Sequence, residues 1–174
     1  MTALVGYASA LGSTREIAEH IAARLRDDGI GAEAAALDRI ADPGAYDAFV
    51  LGSAVHNMTW LPAATTFVRA NLKTLSAHPV WLFSVGSKDS LRGPIGRWTA
   101  ARYPIPKGIA EQQPAIGPRD HRILTGVIRR DQYPAISRLA VWFFGGRYGD
   151  FRDWPAIDAW TDEIARALRT GDHP

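Results

Sequence analysis

Leu4-Val5-Gly6-Tyr7-Ala8-Ser9-Ala10-Leu11-Gly12-Ser13-Thr14-Arg15-Glu16-Ile17-Ala18 reads as a strand, a short polar turn and a helix in direct succession. Leu4, Val5 and Tyr7 suit a buried strand. Ser9 to Thr14 is small and hydroxyl-rich, and Gly12 permits an unusual backbone angle or a close approach. Ser13 and Glu16 have the spacing of a capping box. Ile17, Ile21 and Leu25 then fall on one helix face, with Ala18 and Ala22 beside them. A turn of this kind aims backbone N–H groups and the positive end of a helix at one point, which suits a phosphate. Ser9, Ser13 and Thr14 add hydroxyl donors without adding charge.

Two familiar phosphate loops are excluded. A Walker loop needs Gly-Lys-Ser/Thr before its helix, and no lysine lies between Met1 and Arg39. A dinucleotide fingerprint needs three glycines, whereas this turn has one. What remains is Ser-x-x-Gly-Ser-Thr after a first strand.

The same strand-turn-helix unit recurs downstream. Ala32 to Leu37 reads as a weak, alanine-rich strand, and Ala48 to Gly52 as a strong buried one. Ser53-Ala54-Val55-His56-Asn57-Met58-Thr59-Trp60 is a second polar turn, and Pro62 opens a helix with Ala64, Phe67, Val68, Leu72 and Leu75 on its apolar face. Pro79 to Gly86 is the next strand, closing on Ser87-Lys88-Asp89. The strands are continuously apolar, as in a parallel sheet covered on both faces. The fold class is therefore α/β, a doubly wound parallel sheet. Ligands of such sheets bind beyond the carboxyl ends of the strands. Three turns converge there: Ser9 to Thr14, Ser53 to Trp60, and Ser84 to Asp89.

From Ser90 to His121 the pattern lapses into a stretch with five prolines and four glycines, read as an insertion with a short helix near Ile95 to Arg102. Arg122 to Ile128 reads as the fifth strand. A helix is expected from about Tyr133 to Phe144, stopped by Gly145-Gly146. Asp153 and Pro155 start the last helix, with Ile157, Trp160, Ile164 and Leu168 facing inward. The expected organisation is a single domain over residues 1–174.

The chain has 174 residues, 47% hydrophobic and 22% charged, enough for one sizeable core. It has no cysteine, which removes disulfides, thiol catalysis and cysteine metal sites. His20, His56, His78, His121 and His173 show no metal-ligand spacing, and no metal is expected. No Gly-x-Ser-x-Gly elbow marks a hydrolase. A phospho-receiver would need an acidic pair after the first strand, where Ser9 and Ala10 stand. Met1 leads straight into a strand, so no signal peptide is legible, and no apolar run is long enough to span a bilayer. A cytoplasmic location is expected, and no nucleic-acid partner. Residues 88–152 carry a net +7, against −2 before them and −3 after. A basic section can face an anionic partner or simply be solvated.

Ser-x-x-Gly-Ser-Thr after the first strand resembles the phosphate loop of flavodoxins, with Leu11 where a threonine is usual. Leu-Gly-Ser after the third strand, Phe-Ser-Val-Gly after the fourth and the closing Asp-Trp-Pro-Ala-Ile-Asp-Ala-Trp helix follow in order. Together they resemble the flavodoxin superfamily. Gly12-Ser13-Thr14-Arg15-Glu16-Ile17-Ala18 is similar to the turn of its flavodoxin-domain branch that includes menaquinone-dependent protoporphyrinogen oxidases. The resemblance implies five parallel strands in the order 2-1-3-4-5, FMN as cofactor, and redox chemistry with a quinone or porphyrinogen. Its rivals are an electron carrier without a substrate of its own and a binding module that has lost FMN.

By motif position, the resemblance puts the phosphate on Ser9, Ala10, Leu11, Gly12, Ser13 and Thr14. Ser53, Ala54, Val55, His56, Asn57 and Trp60 would form one wall of the flavin slot. Ser84, Val85, Gly86, Ser87, Lys88 and Asp89 would form the other. Trp60 is the candidate to stack on the flavin ring, or else packs at the start of the helix that follows. Asn57 either bonds the flavin edge or supplies a turn conformation. Lys88 would stabilise anionic reduced flavin, or lie in solvent. No side chain stands out as an acid–base catalyst. Ile136 to Phe144 is apolar on nearly every side. Burial between sheet and insertion is the simpler explanation. A peripheral contact with the inner face of the membrane is the sharper one.

Overall fold

A computed structural model describes residues 1–87, 103–128 and 148–171. Lys88, Asp89, the helix expected at 95–102 and the apolar stretch Ile136 to Phe144 lie outside the described residues. Among the described residues, five parallel strands form the main sheet: β1 (Thr2–Ala8), β2 (Gly31–Ala36), β3 (Ala48–His56), β5 (Val80–Gly86) and β6 (Asp120–Thr125). Their order is β2-β1-β3-β5-β6, which is 2-1-3-4-5 counted over the parallel strands.

Alternation along each strand divides the core in two. Val5, Val50 and Phe83 face α1 (Ser13–Asp27) and α5 (Trp154–Thr170), where Ile17, Ile21, Ile157, Trp160 and Ile164 are buried. Leu4, Phe49, Leu51 and Leu82 face the other way, onto α2 (Pro62–Ala70), α3 (Leu72–Ser76) and the segment containing α4 (Gln113–Ile116). Helices thus cover both faces.

The helix expected from Pro62 through Leu75 divides at Asn71 into α2 and α3, and two features at the strand ends also differ from the sequence reading. β3 runs on to His56 and doubles back as β4 (Thr59–Trp60), through a two-residue turn at Asn57 and Met58. Both turn residues have positive φ, 49° and 59°, as a tight hairpin whose twist matches its strands requires. The fifth parallel strand ends at Thr125, and Val127–Ile128 (β7) turns away to pair antiparallel with Gly149–Asp150 (β8). Gly126 makes that break, because a Cβ there would lie 2.9 Å from Ser13 Oγ and 2.8 Å from Val85 Cγ1.

Register brings the strand ends level. Ala8 pairs with Ser53, Ala54 with Val85, and Gly86 with Thr125. The turns that leave these strands therefore meet at one end of the sheet.

A cleft at the carboxyl end of the sheet

The first turn is built around Gly12. Its φ of 100° lies where residues with a Cβ are strained, and it directly precedes α1. The Gly12 N–H donates to Ser9 Oγ at 3.0 Å, which closes the turn. Ser13 is the first helical residue, so the expected capping box does not form, and no side chain caps the helix. The Glu16 carboxylate goes instead to Arg152. Helix geometry leaves the first N–H groups of α1 without intrahelical acceptors.

A cleft of about 390 Å³ opens against this turn. Ala10, Leu11, Ser13 and Thr14 form its floor. Ala54, Val55 and His56 line one side, and Val85, Gly86 and Ser87 the other. Leu61, Gly126, Val127 and Ile128 complete the lining and were not among the residues expected from sequence. An isolated glycine inside the apolar run 122–128 was the available signal for the last three, since glycine in a strand marks a bulge or a close approach.

Thr14 carries the most telling atom. The residue is 1% exposed, and its Oγ1 has no hydrogen-bond partner among the described residues. A buried hydroxyl without a partner costs about 1–3 kcal/mol, which a ligand acceptor would return. Beside it are Ser13 and the positive end of α1. The donor set is neutral, multiple and convergent, and it fits a phosphate.

Other expected site residues are placed differently. Trp60 is 1% exposed, and its indole Nε1–H donates to Ser84 Oγ at 2.7 Å. Pairing of β4 with β3 turns this ring into the core, the packing alternative for this residue, and Trp60 is not among the residues that line the cleft. Ser53 and Ser84 are fully buried as well. Ser53 Oγ accepts from the Leu61 N–H at 3.0 Å and donates to the Ala54 carbonyl at 2.9 Å. These two hydroxyls hold the walls together rather than face the cleft. Asn57 supplies the hairpin conformation and is exposed. Ser9 and Gly12 also border a neighbouring hollow of about 420 Å³, with Tyr7, Arg15 and Arg39.

Comparison with known proteins agrees with this fold. Residues 4–150 match the Flavodoxin domain family. A flavodoxin from Archaea superposes with a TM-score of 0.61 at 16% identity, over 97% of this chain and 99% of that one. A flavodoxin mutant from Pseudomonas aeruginosa gives 0.58 at 17% identity, over 97% and 99%. Rubredoxin oxygen:oxidoreductase from Desulfovibrio gigas gives 0.60 at 16%, over 97% of this chain and 36% of that one. Protoporphyrinogen IX dehydrogenase (quinone) of Escherichia coli is 32% identical over 87 residues, which are 49% of this chain and 48% of that protein. The match therefore spans about half the length of that relative. With a parallel sheet in flavodoxin order and a family match over residues 4–150, the chain belongs to the Flavodoxin domain family, with FMN as its cofactor.

Proposed function

We propose that the turn from Ser9 to Thr14 holds the FMN phosphate, and that the protein works as an oxidoreductase of the quinone or porphyrinogen type. The observation that carries the first part is the buried, unpartnered Thr14 hydroxyl in the cleft. The flavin supplies reversible one- and two-electron transfer when bound. The chain's own residues bind and screen it. Ser13, Thr14 and the first N–H groups of α1 take the phosphate. Ala54 and Val55 on one side, and Val85 and Gly86 on the other, present small and apolar walls that keep water from the ring. Ser87 lies at the end of the second wall. Lys88 follows it in sequence, and we assign it to the stabilisation of anionic reduced flavin.

The partial match to the quinone-linked dehydrogenase supports the substrate class, as does the apolar lining. Leu11, 61% exposed where the flavodoxin motif has a hydroxyl, adds an apolar surface at the mouth. Steady-state turnover with a quinone or a porphyrinogen separates an enzyme from a carrier without a substrate of its own. Thr14→Ala tests the phosphate placement. A hydrogen bond to a charged group contributes about 1.5–3 kcal/mol, so FMN should bind about 10- to 150-fold more weakly. Riboflavin, which lacks the phosphate, should be nearly unaffected, and equal loss for both ligands would place the phosphate elsewhere. Lys88→Glu should lower the second reduction potential of the bound flavin in a redox titration. An unchanged potential would make Lys88 a solvated residue.

A further inference from the structure

Glu16 stands in the first turn of α1, two residues beyond Thr14. Its Oε1 lies 3.7 Å from where a Cβ on Gly12 would sit, so the carboxylate flanks the corner of the turn. An acidic residue there suits the helix dipole but opposes a dianionic ligand bound at the same helix end. Among the described residues, Arg152 is the cation that meets it. Arg152 donates through Nη1 to Glu16 Oε2. It also grips Asp150, with Nε 2.9 Å from Oδ1 and Nη2 2.5 Å from Oδ2. Its guanidinium lies 4.7 Å over the Trp154 ring. Trp154 in turn packs on His20, with centroids 4.6 Å apart.

The Arg152 side chain is 11% exposed, far less than its carboxylate partners. Asp150, Glu16 and the stacked indole fix it in place, at the junction of β8 with the start of α1. Surface ion pairs are individually weak, and two carboxylates are more than one pair needs. The arrangement gains meaning from what lies beside it, a turn built for a phosphate.

We propose that Arg152 sets the affinity of the Ser9–Thr14 turn for phosphate by neutralising Glu16. Arg152 acts through Glu16 and is a positioning residue rather than a phosphate ligand. The inference rests on the phosphate placement proposed above. Removing the guanidinium leaves Glu16 and Asp150 uncompensated, and the added repulsion falls on a ligand with two negative charges. A ligand with the same ring and no phosphate does not feel it.

The test is a binding cycle read by flavin fluorescence on the apoprotein, with FMN and riboflavin as probes. Arg152→Gln should weaken FMN about tenfold at low salt, with riboflavin unchanged, and the difference should shrink as salt rises. Glu16→Gln in the same background should restore most of the FMN affinity, and Arg152→Lys should keep it. Glu16→Gln alone should bind FMN at least as tightly as the unmodified protein. If Arg152→Gln weakens both flavins in parallel, or the double variant is no better than Arg152→Gln, the residue is a structural clasp and the inference is wrong. Thermal unfolding of each apoprotein confirms that the comparison is among folded proteins. If Arg152→Gln does not fold, the Arg152→Lys and Glu16→Gln measurements decide. A loss of FMN affinity in either one overturns the inference. Thr14→Ala run alongside distinguishes the two failures. If Thr14→Ala separates FMN from riboflavin and Arg152→Gln does not, the phosphate turn stands without Arg152. If neither does, the phosphate lies elsewhere.

Discussion

His121 shows what one half-buried side chain costs and gives. It sits on β6, with Nε2 2.8 Å from Ser84 Oγ and Nδ1 2.5 Å from the Gln113 amide nitrogen. Ser84 Oγ also receives the Trp60 indole, so one network ties β4, β5, β6 and α4 together beneath the cleft. Burial lowers the His121 pKa from 6.5 to about 4, and nearby Asp120 opposes the shift only in part. Below pH 6.5 the unfolded chain therefore takes up a proton that the folded chain refuses. The contribution is complete above pH 6.5 and is lost as the pH falls through the window toward about 4. At 1.36 kcal/mol per pH unit it amounts to at most about 3 kcal/mol, less whatever residual solvent access returns. His121→Gln keeps hydrogen-bonding groups without the titration. Urea unfolding between pH 7 and pH 4 should show a shallower loss of stability for that variant. Equal slopes would mean that His121 is protonated in the folded state. None of this network was legible in the sequence. Trp60 beside a polar turn reads equally well as a ligand contact or as core. The deciding fact is the acceptor for its N–H, a serine 24 positions away in an otherwise apolar strand.

Among elements, the seam between α1 and α5 separates two kinds of interaction. Glu16, His20 and Arg24 on α1 and Asp28 at its C-terminal cap recur every fourth residue. They meet Arg152, Asp158, Asp162 and Arg169 in turn. Arg24 holds Asp162 through two bonds of 2.9 and 3.0 Å, which lowers the Asp162 pKa. Beneath this charged edge Ile157, Trp160, Ile164 and Leu168 pack on the sheet, with the Trp160 ring centroid 6.3 Å from that of Phe83. The two layers should respond very differently to truncation. Asp162→Ala breaks a solvent-screened pair and should leave stability almost unchanged. Ile164→Ala opens a cavity in a closed core and should cost about 2–5 kcal/mol. Urea unfolding of both variants checks the order, and a reversal would mean that charge rather than packing docks α5. The apolar stripes were readable because a 3.6-residue period is local information. The parallel strands were readable because burial on both faces makes them continuously apolar. The ion-pair partners lie 136 or more residues apart for Glu16–Arg152, His20–Asp158 and Arg24–Asp162, and no local pattern announces them. The capping box failed for the same reason. Its glutamate had a better partner elsewhere in the fold.

For the whole molecule, sheet polarity decides where function sits. Every parallel strand points the same way, so the turns after β1, β3, β5 and β6 open at one end, and the cleft belongs to all of them. This much followed from three strand-turn-helix units in the sequence. The contribution of Gly126 to Ile128 did not, because it depends on β7 leaving the sheet to meet β8. A ligand seated there touches the segments that directly follow the first and the last strands of the main sheet to be laid down along the chain. Its binding energy should therefore stabilise the fold as a unit. At FMN one hundred times above its dissociation constant, linkage adds about 2.7 kcal/mol. For a chain of this size that raises the unfolding midpoint by about 5–10 °C. Calorimetry of the apoprotein with added FMN should show one transition displaced upward, with riboflavin at equal concentration giving a smaller shift. Equal shifts for the two flavins would leave the Ser9–Thr14 turn without its phosphate. Two transitions, with FMN moving one of them, would mean that the residues around the cleft unfold apart from the rest of the sheet.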